Sequence, residues 1–215
     1  MSPLPSGMAD SAPFIGLFGG AFDPPHLGHL VVAETLREAL GLTRVVWMPT
    51  ARPPHKDARA ITPFAHRLEM VRRAIAGNPA FEASDLEALR LAATGQPSYT
   101  VETLRALHAL HPGTRWALLM GEDQYAAFGA WRAPEEIARL ADLVVYRRTG
   151  AAPIADVQAR FPARVIEAGR VDVSSSELRA RVREGRSLRY LVAEAVCAYV
   201  AEQELYRCDG DSQAR

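Results

Sequence analysis

Two histidines three residues apart, His26 and His29, stand in the stretch GLFGGAFDPPHLGHL, residues 16–30, at the end of an apolar run. On a helix, side chains at that spacing share a face. At a helix start they join unpaired backbone N–H groups and the positive end of the dipole, a place where anions are held. Gly19 and Gly20 lack a Cβ and let a ligand come close to the backbone. Pro24 and Pro25 suit a turn entering a helix, because the missing N–H would be unpaired there anyway. The chemistry on offer is a grip on phosphate. A zinc clip is weaker, since no nearby Cys or Glu completes a usual ligand set. Solvated surface histidines are the bland alternative, and the surrounding glycines and prolines weigh against it.

Other candidates lie further along. In VSSSELR, 173–179, Ser174 suits a helix N-cap with Glu177 three residues on, a capping box. Capping does not account for Arg179, which can share a face with Ser175 or Ser176 and lean towards the helix start. A planar guanidinium beside free N–H groups suits a triphosphate tail. Lys56 is the single lysine among 25 basic residues, and it follows RPPH in a stiffened loop, with His55 before it. Tyr99 and Thr100 sit where a loop enters a helix, so Thr100 is equally an ordinary N-cap. Gly121 and Asp123 follow an apolar run, where an acidic side chain can accept from a ribose hydroxyl or cap a helix. Trp131 is either core or a stacking surface. Arg147 and Arg148 read as solvated charges within reach of a nucleotide.

These residues need a scaffold, and the hydrophobic pattern supplies one. FIGLF (14–18), RVVWMP (44–49), WALLMG (116–121) and DLVVYR (142–147) lack polar alternation, as strands covered on both faces do. Helical patterns lie between them. They are LGHLVVAETLREAL before Gly41, TPFAHRLEMVRRAIAG with Thr62 as N-cap and Pro63 at the first position, and TVETLRALHAL ended by His111-Pro112-Gly113. RVIEA (164–168) reads as a last strand, and two helices follow, Ser175–Glu184 and about Leu191–Leu205. The fold class is α/β: a Rossmann-like doubly wound parallel sheet with a small C-terminal helical portion, binding ligands at the carboxyl ends of its strands. Its expected divisions are a disordered lead-in over 1–13, the core over 14–170, a helical portion over 171–207 completing the phosphate site, and a tail over 208–215.

Composition narrows the function classes. The 25 basic residues balance 25 acidic ones, so no overall charge points to nucleic acid or a membrane surface, and any anion must be held locally. Cys197 and Cys208 have no metal or disulfide spacing and suit reduced thiols in a cytoplasmic protein. No stretch is long and apolar enough to span a bilayer. Oligomeric state stays open.

GGAFDPPHLGH resembles the signature of the HxGH nucleotidylyltransferases, and most closely that of bacterial nicotinate mononucleotide adenylyltransferases. The likeness continues through MPTARPPHK (48–56), PSYTVETL (97–104), GEDQYAAFGAW (121–131), VSSSELR (173–179) and YVAEQELYR (199–207). It implies adenylyl transfer from ATP to nicotinate mononucleotide, with Mg2+ carried mainly on the ATP phosphates and no protein metal ligand. His26, His29 and Arg179 become the catalytic group. ATP contacts are implied at Gly19, Gly20, Ala21, Phe22, His26, His29, Gly121, Asp123, Ser174, Ser175 and Arg179. Mononucleotide contacts are implied at Lys56 and His55 for the phosphate side, and at Tyr99, Thr100 and Trp131 for the pyridine ring. Ala21 departs from the family's usual Thr, which removes one hydroxyl, and Val192 stands where Pro is common. The rivals are a sibling transferase with another phosphate acceptor, a fragment related to class I aminoacyl-tRNA synthetases, and a nucleotide-binding domain without turnover.

Overall fold

The computed structural model describes residues 12–52, 61–147, 154–169 and 171–207. Six strands form one sheet: β1 (Phe14–Gly20), β2 (Arg44–Pro49), β3 (Phe81–Ala83), β4 (Arg115–Gly121), β5 (Asp142–Arg147) and β6 (Arg164–Glu167). Their order is β3-β2-β1-β4-β5-β6, and every neighbouring pair is parallel. The order reverses between β1 and β4, the place where open α/β sheets leave a crevice beyond their carboxyl ends.

Strand periodicity sorts the core into two layers. Ile15, Leu17, Val46, Met48, Trp116, Leu118, Met120, Leu143 and Val145 face one way. They meet α4 (Thr100–Leu110) through Val101, Leu104 and Leu107. The alternate residues Phe18, Val45, Trp47, Ala117, Leu119 and Val144 face the other way. They meet α1 (Leu27–Leu40) through Val32, Ala33 and Leu36, and α2 (Phe64–Ile75) through Val71 and Ile75. A third cluster joins Met70 of α2 to Leu178 of α8 (Ser175–Arg183) and to Val196, Tyr199 and Val200 of α9 (Glu194–Glu202). The C-terminal helices therefore dock on the face carrying α2, close to where β1 runs into α1.

Some boundaries differ from expectation. Pro63, not Thr62, holds the cap position of α2, while the Thr62 N–H goes to Asp23 Oδ2 at 3.2 Å. The last two helices are shorter than the sequence suggests. Glu204 and Tyr206 adopt left-handed φ of 49° and 68°, which an α-helix does not tolerate. Elements with weak patterns emerge only in space: β3, α3 (Leu86–Thr94) and α6 (Pro134–Leu140); α5 (Glu122–Ala126) is the helix expected at Asp123, and α7 (Ala155–Arg160) is the short helix that TGAAPIADVQARFPA suggests. Helix α3 has no fully buried residue. Most of the expected lead-in and the whole tail 208–215 lie outside the described residues. Pro13 is described, and its carbonyl accepts from Arg115 N–H at 2.9 Å.

Candidate active site

The glycine-rich end of β1 turns into α1 through Phe22–His26, and that turn is held from three sides. Phe22, at φ 50°, buries its ring in the core beside Phe18 and Trp47. A Cβ on Gly20 would stand 3.0 Å from that ring, so Gly20 serves packing of the turn as well as ligand approach. The Phe22 ring is thus a core group, and only its backbone can face a nucleotide. Ala21 gives its carbonyl to Arg67 Nη1 at 2.8 Å.

His26 caps α1 and is 3% exposed, not a solvated surface histidine. Its ring centroid lies 3.7 Å from that of His29. The His26 backbone N–H donates to His29 Nδ1 at 3.2 Å. The neutral His29 ring then holds its proton on Nε2 and acts there as a donor. Phe22 braces the same ring edge-on at 5.2 Å between centroids. Gly28 has a specific reason: a Cβ would sit 3.0 Å from His26 Nδ1. Two imidazoles are thereby fixed side by side at a helix N-terminus, an arrangement of donors suited to phosphate oxygens.

The C-terminal portion grips this turn. Arg179 Nη1 donates to the Asp23 carbonyl at 2.7 Å, and Nη2 donates to Ser176 Oγ at 3.2 Å. Ser175 Oγ donates to the Pro24 carbonyl at 2.8 Å. Leu27 N–H, in the first turn of α1, donates to the Leu191 carbonyl at 3.0 Å. Ser174 forms the expected capping box, accepting from Glu177 N–H at 3.2 Å while its own N–H meets the Glu177 carboxylate at 2.9 Å. Arg179 is thus brought to the turn that carries the histidines.

Two residues that sequence reasoning passed over hold the region together. Arg67, 1% exposed, donates to the carbonyls of Thr62, Ala21 and Thr50, each at 2.8 Å. Burial holds its pKa below the usual arginine range, with the Asp23 charge acting in the opposite sense. The Asp23 carboxylate, 3% exposed, accepts from Tyr206 O–H at 2.7 Å. Burial, and then Asp23, push the Tyr206 hydroxyl above the ordinary tyrosine range. The only sequence signal for Arg67 is an arginine on the apolar face of α2, between Phe64 and Val71.

A cavity of about 690 Å³ opens at the carboxyl ends of β1, β2 and β4, within the range of small-molecule sites. Gly19, Gly20 and Ala21 form part of its wall, so it adjoins the histidine turn directly. Tyr99, Thr100, Asp123 and Trp131 line it, together with Glu87, Ser98, Thr103, Gln124 and Arg132, which the sequence did not single out. A Cβ on Gly19 would meet nothing within 4 Å, leaving that backbone open to a ligand. A Cβ on Gly121 would stand 2.7 Å from Asp123 Oδ1, so this glycine leaves room for the carboxylate. Thr100 is the first residue of α4 and Tyr99 its cap, which removes the N-cap reading of Thr100. Burial raises the Glu87 carboxyl above its ordinary value, although it accepts from Ala51 N–H at 3.2 Å and Thr103 O–H at 3.1 Å. Arg147 is not a solvated charge: its Nε donates to the largely buried Glu122 carboxylate at 2.6 Å. His55, Lys56, Arg148 and Cys208 lie outside the described residues.

A doubly wound sheet with paired histidines at a helix start and a cavity of this size defines a class of protein. Residues 17–181 match the cytidylyltransferase-like family model. A relative from Salinibacter ruber, named "Probable nicotinate-nucleotide adenylyltransferase", is 46% identical over 194 residues, covering 90% of this chain and 97% of the relative. One of the same name from Thermomicrobium roseum is 41% identical over 199 residues, covering 90% and 91%. The chain belongs to the nicotinate-nucleotide adenylyltransferase family of nucleotidyltransferase enzymes. In fold it is similar to the Plasmodium falciparum nicotinic acid mononucleotide adenylyltransferase complexed with NaAD, with TM-score 0.75 and 19% identity over 90% of this chain and 97% of that one.

Proposed function

We propose that the protein transfers the adenylyl group of ATP to the 5′-phosphate of nicotinate mononucleotide in the cytoplasm, releasing pyrophosphate and giving deamido-NAD for NAD biosynthesis. The observation that carries this reading is the shared wall of Gly19–Ala21. These residues border the cavity and lead directly into the turn with His26 and His29. A mononucleotide in the cavity would present its phosphate to a triphosphate gripped at that turn.

A phosphate oxygen of the mononucleotide attacks the α-phosphorus of ATP in line. The new P–O bond forms as the bond to the bridging oxygen breaks, and that oxygen leaves with pyrophosphate. The substrate phosphate is the nucleophile, so no enzyme-bound intermediate is needed. Catalysis then rests on positioning and on neutralising phosphoryl charge. His26, His29 and Arg179 supply donors and positive charge on the triphosphate. The Gly121–Asp123 segment serves the ribose, and the start of α8 at Ser174 and Ser175 joins Arg179 in clamping the triphosphate. Tyr99, Thr100 and Trp131 hold the pyridine ring, and Lys56 and His55 serve the mononucleotide phosphate.

The donors at the turn are imidazoles, a guanidinium and amides, a set that holds anions and not Mg2+. Among the described residues no group of three His, Cys, Asp or Glu is arranged to hold a metal. Mg2+ bound to the triphosphate through phosphate oxygens and water fits this donor set, and it would offset charge on those oxygens. No described helix is long and apolar enough to cross a bilayer.

The test is pyrophosphate release from ATP with nicotinate mononucleotide, nicotinamide mononucleotide and phosphopantetheine offered in turn. Preference for nicotinate mononucleotide is expected. Preference for another acceptor assigns the chain a sibling activity, and ATP binding without turnover makes it a binding domain.

A further inference from the structure

Resting on the adenylyl-transfer reading, we propose that the Arg132 side chain selects a carboxylate over an amide on the pyridine ring of the mononucleotide. The described wall of the cavity has three charged side chains, Glu87, Asp123 and Arg132, so Arg132 is its one cation there. The other arginines near the site are committed. Arg67 is spent on three carbonyls, Arg147 on Glu122, and Arg179 on the Asp23 carbonyl and Ser176. Among the described residues Arg132 makes no ion pair. Its guanidinium lies over the Tyr99 ring, 4.6 Å from the centroid, and Tyr99 is itself a wall residue.

The backbone around Arg132 presents it deliberately. Trp131 is extended at φ −70° and ψ 161°, and its N–H donates to the Phe128 carbonyl at 3.0 Å. Ala133 takes a left-handed φ of 53°, an uncommon state for a residue with a Cβ, before Pro134 opens α6. This strained turn puts the indole and the guanidinium next to each other on the cavity wall, where such strain commonly accompanies function. A pyridine ring against Trp131 would bring its substituent within the guanidinium's reach. A carboxylate gains a charge-assisted hydrogen bond there. An amide offers the guanidinium only one neutral carbonyl acceptor, and its NH2 finds no acceptor on arginine.

The test compares kcat/KM for nicotinate and nicotinamide mononucleotides in the parent chain, Arg132→Met and Arg132→Lys, with ATP saturating. The parent should prefer the acid. Arg132→Met should lose about tenfold on the acid, mainly through KM, with less than about a twofold change on the amide. Arg132→Lys should retain part of the preference, because a point charge replaces the planar fork. Equal loss on both substrates, an unchanged ratio, or a parent that prefers the amide overturns the assignment of Arg132. A parent that releases pyrophosphate with neither mononucleotide overturns the functional reading itself. Turnover on the acid with an unchanged ratio in Arg132→Met leaves that reading intact and defeats only this inference.

Discussion

Arg179 Nη1 stands 2.7 Å from the carbonyl oxygen of Asp23, joining the penultimate helix to the turn that carries His26 and His29 across 156 residues of chain. The same turn accepts Ser175 at Pro24 and, through the Asp23 carboxylate, Tyr206. The C-terminal portion is therefore part of the scaffold of the histidine turn, and changes there should register in ATP handling if the proposed adenylyl transfer holds.

Arg179→Ala removes a cation from the turn without opening a large core cavity, since the side chain is only half-buried. Turnover at saturating mononucleotide should fall about a hundredfold, a loss of the size seen when one charge-stabilising donor is removed. The melting temperature should stay within a few degrees of the parent. Pyrophosphate release and thermal unfolding, measured side by side, check the pair of outcomes.

Gly28→Ala tests placement of the imidazoles without deleting either. The added methyl would approach His26 Nδ1 to 3.0 Å, so the ring must yield by a few tenths of an ångström. Activity should drop about tenfold or more while the far-ultraviolet circular dichroism is unchanged, because small displacements of reacting groups are costly. Parental turnover in Gly28→Ala, or in His29→Ala, would contradict the phosphate role of the pair.

Arg67→Met leaves the carbonyls of Thr62, Ala21 and Thr50 without their common donor in a buried setting. The expected loss is roughly 3 kcal/mol or more, from several stranded acceptors. Arg67→Lys should recover little, since one ammonium cannot serve three acceptors in the plane of a guanidinium. Urea titration of the three proteins measures both.

Glu87 gives a pH signature. Its folded-state pKa is raised by burial, against the hydrogen bonds from Ala51, Ser98 and Thr103 and the nearby Arg67 charge. A raised carboxyl binds its proton more tightly in the folded protein than in the unfolded chain. Its contribution is therefore fully present below the ordinary value near 4.5 and lost as pH rises through the folded value. The stability of the parent relative to Glu87→Gln should decline from about pH 4.5 upward and then level off. A difference that grows with pH over that interval would show that the hydrogen bonds outweigh burial.

Much of the scaffold was legible in the sequence because its signals are local. Helix α1 at Leu27–Leu40, helix α4 at Thr100–Leu110 and strand β2 at Arg44–Pro49 fall where apolar runs, caps and breakers put them. The histidine turn and the Ser174 capping box were legible for the same reason. Local patterns failed where meaning depends on what lies opposite. Arg67 is an ordinary helix arginine until three carbonyls from two other loops converge on it. Arg147 reads as a surface charge until Glu122 stands beside it.

The chain alone determined the main strands and helices, and that two imidazoles stand at a helix start. Those features follow from backbone sterics, capping and hydrophobic period, which act within a few residues. Only the tertiary structure decided that Arg179 meets the Asp23 turn, that Arg67 and Tyr206 brace it, and that Arg132 is the described cation on the cavity wall. Each of those relations joins groups distant in sequence, and their energies depend on burial and on partners that exist only once the sheet and the C-terminal helices have closed together.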